Sequence, residues 1–230
     1  MDQTRQLSTL VRRLEYSFKD VDLLDEALTH RSLGSRNNER LEFLGDGILN
    51  FVIADALFRQ HPDLREGDLS RLRASLVNGE TLAEIARDLN LGDCIKLGSG
   101  ELKSGGFRRS SILADVVESI LGAVYCDSGF DACQALILRL FDEKLNNLPD
   151  IDSLKDPKTR LQELLQSRRL SIPVYDVTNV SGKAHAQIFK VRCSIDEIEC
   201  VTHAEGGSRR KAEQLAAEAA YQQVKKKLNV

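Results

Sequence analysis

Apolar residues recur at spacings of three and four through most of the chain, from about Leu7 to Leu145. Such spacing places apolar side chains along one face of a helix. Gly-rich breaks at 97–100 and 103–106 separate the periodic segments, and this part of the sequence lacks the alternation typical of strands. The pattern therefore predicts an all-α domain, with helices over 21–28, 41–58, 69–77, 82–89, 112–125 and 132–145.

The helical pattern stops at a polar stretch near 146–155, which we interpret as a linker between domains at 1–151 and 152–230. The two parts differ in charge. The overall net charge of −3 combines −7 in the first part with +4 in the second, where 14 Lys and Arg face 10 Asp and Glu. An acidic part suited to metal ions is therefore joined to a basic part suited to phosphate.

The second domain is predicted to be α+β, with the order α-β-β-β-α. Its first helix begins at Asp156, a typical N-cap, followed by Pro157 at the first helical position. Its last helix is expected from the N-cap Ser208 to about Leu228. Between the helices, runs rich in β-branched residues predict three strands, at 174–180, 188–193 and 198–202.

Composition narrows the setting of the protein. With 42% apolar residues the chain can bury a core, and with 29% charged residues it is expected to be soluble. No apolar run approaches the roughly 18 residues of a membrane span, so we expect no membrane partner. The five cysteines are odd in number and lack CxxC spacing, which is typical of free thiols in a reducing cytoplasm.

Three carboxylates share one face of the predicted helix at 41–58 and the residues just before it. Glu39, Glu42 and Asp46 fall within about 60° of arc at the helical angle of 100° per residue. The apolar side chains of the same segment are expected to form a core face on the opposite side, at Leu41, Leu44, Ile48 and Val52.

A second acidic pair, Asp115 and Glu118, lies at i and i+3 in an otherwise apolar helix. Buried carboxylates without partners cost several kcal/mol each, so these two are expected to face a cation or a basic group. The alternative is a set of solvated charges with a salt bridge from Arg40. The combination of both acidic groups favours a metal site.

Oxygen ligands without His or Cys favour Mg²⁺, with Mn²⁺ as a substitute, over zinc. A cation of this kind activates water for attack on a phosphodiester and stabilises the leaving oxygen. No Ser-His-Asp or Cys-His order competes, His30 is interpreted as a structural residue, and the Gly-rich segment 98–106 lacks the GK[ST] ending of a phosphate loop. The chemistry predicts a metal-assisted phosphoryl hydrolase.

The second domain carries residues suited to duplex RNA. A polar stripe on its first helix, which includes Thr159, Gln162 and Glu163, suits the shallow RNA minor groove. The loop 181–185, which contains His185, is placed to reach a second minor groove. A phosphate clamp is expected where the last helix begins, at Ser208, Arg209, Arg210 and Lys211.

The segment Asn38–Asp46, with the sequence NERLEFLGD, resembles the signature motif of the ribonuclease III family without a gap. Further similar segments lie at 66–74, 105–109 and 112–120. The segments 157–163, 182–185 and 208–213 are similar to the contact regions of double-stranded RNA-binding domains, except that Glu213 stands where many such domains have a basic residue.

This resemblance implies an all-α nuclease domain followed by an α-β-β-β-α double-stranded RNA-binding domain. It implies a metal site formed by Glu42, Asp46, Asp115 and Glu118, with Asp46 and Glu118 as the catalytic pair. Loss of Glu118 is expected to stop cleavage and to spare RNA binding. The resemblance gives accessory acidic roles to Glu39 and Glu66 and places Phe43 at the contact of a homodimer. From the residues alone, Phe43 is interpreted as an ordinary core residue.

The implied activity is cleavage of double-stranded RNA to 5′-phosphate and 3′-hydroxyl ends with short 3′ overhangs. Ribosomal RNA precursors and other structured transcripts, including messenger RNAs, are the implied substrates. Two alternatives stay open from the residues alone. One is a binder that holds duplex RNA without cutting it, and the other is a metal-dependent hydrolase of small phosphate esters.

Overall fold

A computed structural model describes residues 3–183 and 186–228. The chain divides into two compact units, Met1–Pro149 and Asp150–Val230. None of the described helices has the length and apolarity needed to cross a bilayer.

The first unit is helical, as the apolar spacing predicts. Its helices are α1 (Gln3–Leu14), α2 (Val21–Ala27), α3 (Glu39–Gln60), α4 (Glu66–Leu76), α5 (Gly79–Asp88), α6 (Ser99–Lys103), α7 (Ser110–Ser128), α8 (Phe130–Leu140) and α9 (Asp142–Asn146). The predicted helix at 132–145 is in fact the pair α8 and α9, which meet at the fully buried Phe141. The Gly-rich segment contains the short helix α6, which ends before Gly105 adopts a φ of +77°.

Helices α3 and α7 form the centre of this unit and approach each other at backbone distance. A Cβ atom on Gly45 of α3 would lie 1.8 Å from the carbonyl oxygen of Glu118 on α7. A Cβ atom on Gly122 of α7 would lie 2.2 Å from the carbonyl oxygen of Leu41 on α3. The two glycines therefore permit a crossing that side chains would prevent.

This close approach changes which face of α3 is buried. Leu41 and Val52 are buried as predicted, but Leu44 and Ile48 are only half-buried. The buried face also includes Gly45, Leu49, Ile53, Ala56 and Leu57. The core therefore lies beside the carboxylate face rather than opposite it, because α7 packs against the side that carries Gly45.

The second unit is α+β and contains α10 (Ile151–Leu154), α11 (Pro157–Ser167), β1 (Val174–Ser181), β2 (Ile188–Ile195), β3 (Cys200–Gly206) and α12 (Arg209–Leu228). The strands form an antiparallel sheet in the order β1-β2-β3. Its core joins one sheet face to both long helices through Leu161, Leu165, Val191, Cys193, Ala216 and Ala220, among others.

The predicted bounds of the third strand are wrong. The third strand begins two residues later than predicted and continues to Gly206, because Asp196–Ile198 form a 3₁₀ turn and Glu199 has a φ of +46°. The segment predicted as a linker contains α10. Lys155 stabilises this end of the linker through ion pairs of 2.8 Å with both Asp152 and Glu163.

Candidate functional site

Carboxylates from α3 and α7 converge where the two helices cross. Glu42, Asp115 and Glu118 each offer an oxygen within 4.8 Å of the other two, and all three side chains are half-buried. Gly45 and Gly122 bring the two backbones together next to these residues. Three of the four carboxylates expected at the metal site therefore lie together in the structure.

Burial and mutual repulsion oppose the ionisation of this acidic cluster. Burial, followed by the nearby charges of Asp46, Glu42 and Asp115, raises the pKa of Glu118 to about 8. Burial also raises the pKa values of Glu42 and Asp115. Among the ion pairs of the described residues, none neutralises these three carboxylates. A divalent cation would relieve both effects, so the donor set fits a metal ion.

Asp46 and Glu39 lie at the edge of the cluster. Asp46 is exposed, and its Oδ1 accepts a hydrogen bond of 2.7 Å from Asn50 Nδ2, one helical turn later. Glu39 pairs with Arg31 at 3.4 Å. The ion pair that the alternative interpretation assigned to Arg40 is therefore made by Arg31, a residue that the local spacing did not single out.

Glu66 lies outside the cluster, at the first position of α4. Its Oε1 accepts a hydrogen bond of 2.8 Å from Ser70. It lines an open groove between α3 and α4 together with Phe51, Phe58 and Leu64. Within this chain, Glu66 is therefore not part of the acidic group around Glu42.

Phe43 is 83% exposed and lies on the face of α3 that carries the exposed Phe51 and Phe58. An ordinary core role for Phe43 is thereby ruled out. Together with the groove beside Phe58, these side chains form a large apolar face, of the kind found at protein interfaces.

His30 has the structural role predicted for it. Its Nδ1 accepts a hydrogen bond of 3.1 Å from the backbone N–H of Ser32 and caps the turn Arg31–Leu33. Ser32 Oγ in turn accepts a hydrogen bond of 2.9 Å from the N–H of Gly98. This network connects the Gly-rich segment to the chain next to Arg31, and only the His30 part was anticipated from the sequence.

In the second unit, the predicted RNA contacts on α11 are accessible. Thr159 is half-buried and held by the N-cap Asp156, whose Oδ2 accepts a hydrogen bond of 2.7 Å from Thr159 Oγ1. Gln162 and Glu163 are exposed, and Glu163 also pairs with Lys155. His185 lies outside the described residues.

The predicted phosphate clamp lies at the start of α12, where Ser208, Arg209, Arg210 and Lys211 are all exposed. Ser208 Oγ caps the helix by accepting a hydrogen bond of 3.2 Å from the N–H of Lys211. Glu213 does not extend toward solvent among these bases. Its side chain is 12% exposed and pairs with Arg209 and with Lys158 of α11.

Comparisons with known proteins identify both units. Residues 20–145 match the family model described as Ribonuclease-III-like, and residues 157–224 match the double-stranded RNA binding motif. A ribonuclease 3 from Hahella chejuensis is 58% identical over 217 residues, covering 94% of this chain and 96% of that protein. A ribonuclease 3 from Vibrio cholerae is 54% identical and covers 96% of this chain and 98% of that protein.

A solved nuclease domain of ribonuclease III from Campylobacter jejuni resembles the first unit. It is 46% identical with a TM-score of 0.59, and the match covers 60% of this chain and 98% of that domain. The predicted order of an all-α nuclease domain and an α+β RNA-binding domain is confirmed. The chain belongs to the ribonuclease III family and is an endoribonuclease specific for double-stranded RNA.

Proposed function

We propose that this chain cuts duplex RNA by metal-assisted hydrolysis of the phosphodiester, at a site formed by Glu42, Asp46, Asp115 and Glu118. The observation that carries the proposal is the convergence of Glu42, Asp115 and Glu118 within 4.8 Å, half-buried and without an ion pair among the described residues. A protein that only binds RNA gains nothing from anions held beside phosphates.

The proposed ion is Mg²⁺, with Mn²⁺ able to replace it, because the donors are all carboxylate oxygens. When bound, such a cation lowers the pKa of water at the site and stabilises charge on the leaving oxygen. The ion specificity is inferred from the donor chemistry of the cluster.

The four carboxylates have different surroundings, which supports different roles. Glu42, Asp115 and Glu118 are half-buried and suited to hold a cation in a fixed position. Asp46 is exposed, and its carboxylate is oriented by Asn50. This position suits contact with the phosphodiester group of an incoming RNA. We assign catalysis to Asp46 and Glu118, with products that carry 5′-phosphate and 3′-hydroxyl ends. We propose an accessory role for Glu39. An accessory role for Glu66 would require a contact with RNA or with a second copy of the chain.

We further propose that the chain acts as a homodimer through the apolar face that carries Phe43, Phe51 and Phe58. Three exposed phenylalanines on one helix leave an apolar surface that a second copy would bury. The similar Campylobacter jejuni domain is described as having a flexible region involved in dimer formation. Two sites in a dimer account for staggered cuts and short 3′ overhangs.

Duplex binding is assigned to two surfaces of the second unit. Thr159, Gln162 and Glu163 on α11 are proposed to contact the minor groove, and Ser208 with the following bases on α12 to contact phosphates. His185 is kept as a proposed contact from the sequence. Because such a domain responds to the shape of a duplex more than to its sequence, we propose precursors of ribosomal RNA and other structured transcripts as substrates. We propose that the protein acts in the cytoplasm, where free thiols such as the five in this chain persist.

The test is cleavage of a perfect RNA duplex in Mg²⁺ by the wild type and by Glu118→Gln. We expect the variant to lose at least about a thousandfold in rate, because a fixed ligand of the metal site is lost, while it still shifts the duplex on a gel. EDTA should stop the wild type. The matched control is Glu143→Gln, an exposed carboxylate on α9, which should cut normally. A wild type that binds the duplex and never cuts it in Mg²⁺ or Mn²⁺ would establish a non-catalytic binder instead.

A further inference from the structure

The first turns of α11 and α12 are connected by two consecutive side chains of α12. Gln214 Oε1 accepts a hydrogen bond of 3.1 Å from the backbone N–H of Lys158. Gln214 Nε2 donates one of 3.0 Å to Oδ1 of Asp156, the N-cap that also holds Thr159. The amide of Gln214 therefore links α12 to the start of the helix that carries the proposed minor-groove contacts.

Glu213 makes the second connection through an ion pair with Lys158, and it makes another ion pair within α12. Its Oε2 lies 2.8 Å from Lys158 Nζ on α11, and its Oε1 lies 2.8 Å from Arg209 Nε on α12. These hydrogen bonds hold the pKa of the Glu213 carboxyl below its usual range, with that from Lys158 the largest favourable cause. Glu213 is thus an ionised, mostly buried residue shared by the two helices.

Lys158 is occupied on two sides. Its Nζ contacts Glu213 and lies 4.3 Å from the centre of the Tyr175 ring, a distance typical of a cation–π contact. The sequence places Lys158 in a segment similar to an RNA-contacting region. In the folded unit its ammonium group pairs with Glu213, while the side chain stays 35% exposed.

We propose that Glu213 is a positioning residue for duplex RNA, which fixes the spacing between the α11 and α12 contact surfaces through Lys158 and Arg209. The proposal rests on the RNA-binding surface assigned above and deepens it. Glu213 orients Arg209 on the phosphate-binding surface and holds Lys158 in an ion pair. The position at which many related domains have a base is used here to hold the two contact surfaces in register.

This role and simple electrostatics make opposite predictions. A carboxylate close to bound phosphates should weaken binding, so its neutralisation should tighten binding and steepen the salt dependence. If Glu213 positions the surfaces, its neutralisation should weaken binding even though the protein becomes more positive.

The experiment measures equilibrium binding of the full chain to a labelled RNA duplex of about 20 base pairs, a little longer than the span of one such domain, in EDTA to prevent cutting. The variants are Glu213→Gln, Lys158→Met and the two combined, which restores the net charge of the wild type. The control is Asp176→Asn, which breaks the ion pair with Arg192 on the sheet face away from the helices.

We expect Glu213→Gln to raise the Kd about threefold to tenfold, which corresponds to an interaction of moderate strength. The double variant should bind as weakly as Glu213→Gln and no more weakly, because both changes remove the same link. Asp176→Asn should bind like the wild type. In cleavage assays with Mg²⁺, Glu213→Gln should raise KM and leave kcat unchanged. Damage to the catalytic domain would instead lower kcat.

A second variant, Gln214→Met, removes the hydrogen bonds to Lys158 and Asp156 without changing the net charge. It should also weaken binding. This variant tests the proposal even if Glu213→Gln lowers the melting temperature of the protein. The positioning role is overturned if Glu213→Gln binds as tightly as the wild type or more tightly and the double variant matches the wild type. A wild type that fails to bind the duplex at all would instead overturn the assigned RNA-binding surface itself.

Discussion

Glu118 is the carboxyl whose surroundings most strongly oppose ionisation. Burial, followed by repulsion from Asp46, Glu42 and Asp115, raises its pKa to about 8 from a usual value near 4.5. The protonated form is therefore favoured in the folded, metal-free protein. Stabilisation from this group is fully present below about pH 4.5 and is lost as the pH rises through about 8.

This pH dependence gives a prediction for the metal-free protein. In EDTA, Glu118→Gln should melt a few degrees above the wild type at pH 8.5, because the amide stays neutral, and the difference should close near pH 5. Melting curves at several pH values measure it. Mg²⁺ should raise the melting temperature of the wild type at pH 8.5 more than that of the variant. Parallel pH profiles for the two proteins would contradict the assignment.

At this scale the sequence was informative about which residues matter and silent about their partners. The spacing of Glu42, Asp115 and Glu118 in apolar surroundings was sufficient to predict an acidic site. The contact of Asn50 with Asp46 is one helical turn away and was within reach of the same reasoning. The pairing of Arg31 with Glu39 was not, because it depends on how the preceding turn packs against α3.

Helices α3 and α7 cross at two glycines, and this crossing places the acidic residues. Gly45 and Gly122 each face a backbone carbonyl of the other helix at a distance that excludes a side chain. The backbone there cannot retreat without separating Glu42 from Glu118. The geometry of the site is therefore a property of the helix pair.

We predict that Gly45→Ala destabilises the protein by about 1–3 kcal/mol, the usual cost of overpacking, and reduces cleavage much more than duplex binding. Thermal melting and parallel cleavage and binding assays measure the two effects. The matched control is Gly47→Ala, which lies in the same helix with open space around it. That change should stabilise the protein by about 0.5–1 kcal/mol. Equal melting temperatures for the two variants would argue against a tight crossing.

At the element scale, periodicity predicted the existence of the helices and strands better than their buried faces. The core face of α3 was assigned opposite the carboxylates, whereas Leu49 and Ile53 beside them are buried. Periodicity indicates which face of a helix carries apolar residues, but packing against the partner helix determines which face is buried. The late start of β3 has a local cause, the left-handed conformation of Glu199, which is a rare choice for that residue type.

The whole molecule combines two compact units with opposite net charge and an uncovered apolar face on the first. Phe43, Phe51 and Phe58 expose 83%, 58% and 68% of their surfaces. Clusters of exposed aromatic side chains of this size are typical of interfaces. A second copy is the partner that the staggered products of the proposed reaction require.

We predict that the wild type sediments as a dimer, at twice the 25.7 kDa of one chain, and that Phe43→Asp shifts it toward the monomer. A charge placed in an apolar interface loses hydration without gaining a partner. The control is Val21→Asp on α2, where the replaced side chain is 69% exposed and lies on another element. A wild type that remains monomeric at micromolar concentration would contradict the proposed interface.

The glycine crossing also has a consequence for the size of the cation that the proposed metal site would hold. Ligands on two rigid helices define a gap whose width follows the separation of the backbones, and Mg²⁺ and Ca²⁺ differ by about 0.3–0.5 Å in their distance to oxygen. In the proposed metal site, Gly45 and Gly122 would set the width of this gap, and the carboxylate oxygens would set the preference for a hard cation. Engineering of the proposed site toward a larger ion would therefore start at this crossing, where an added methyl group pushes the two backbones apart and moves Glu42 away from Glu118 without replacing any ligand.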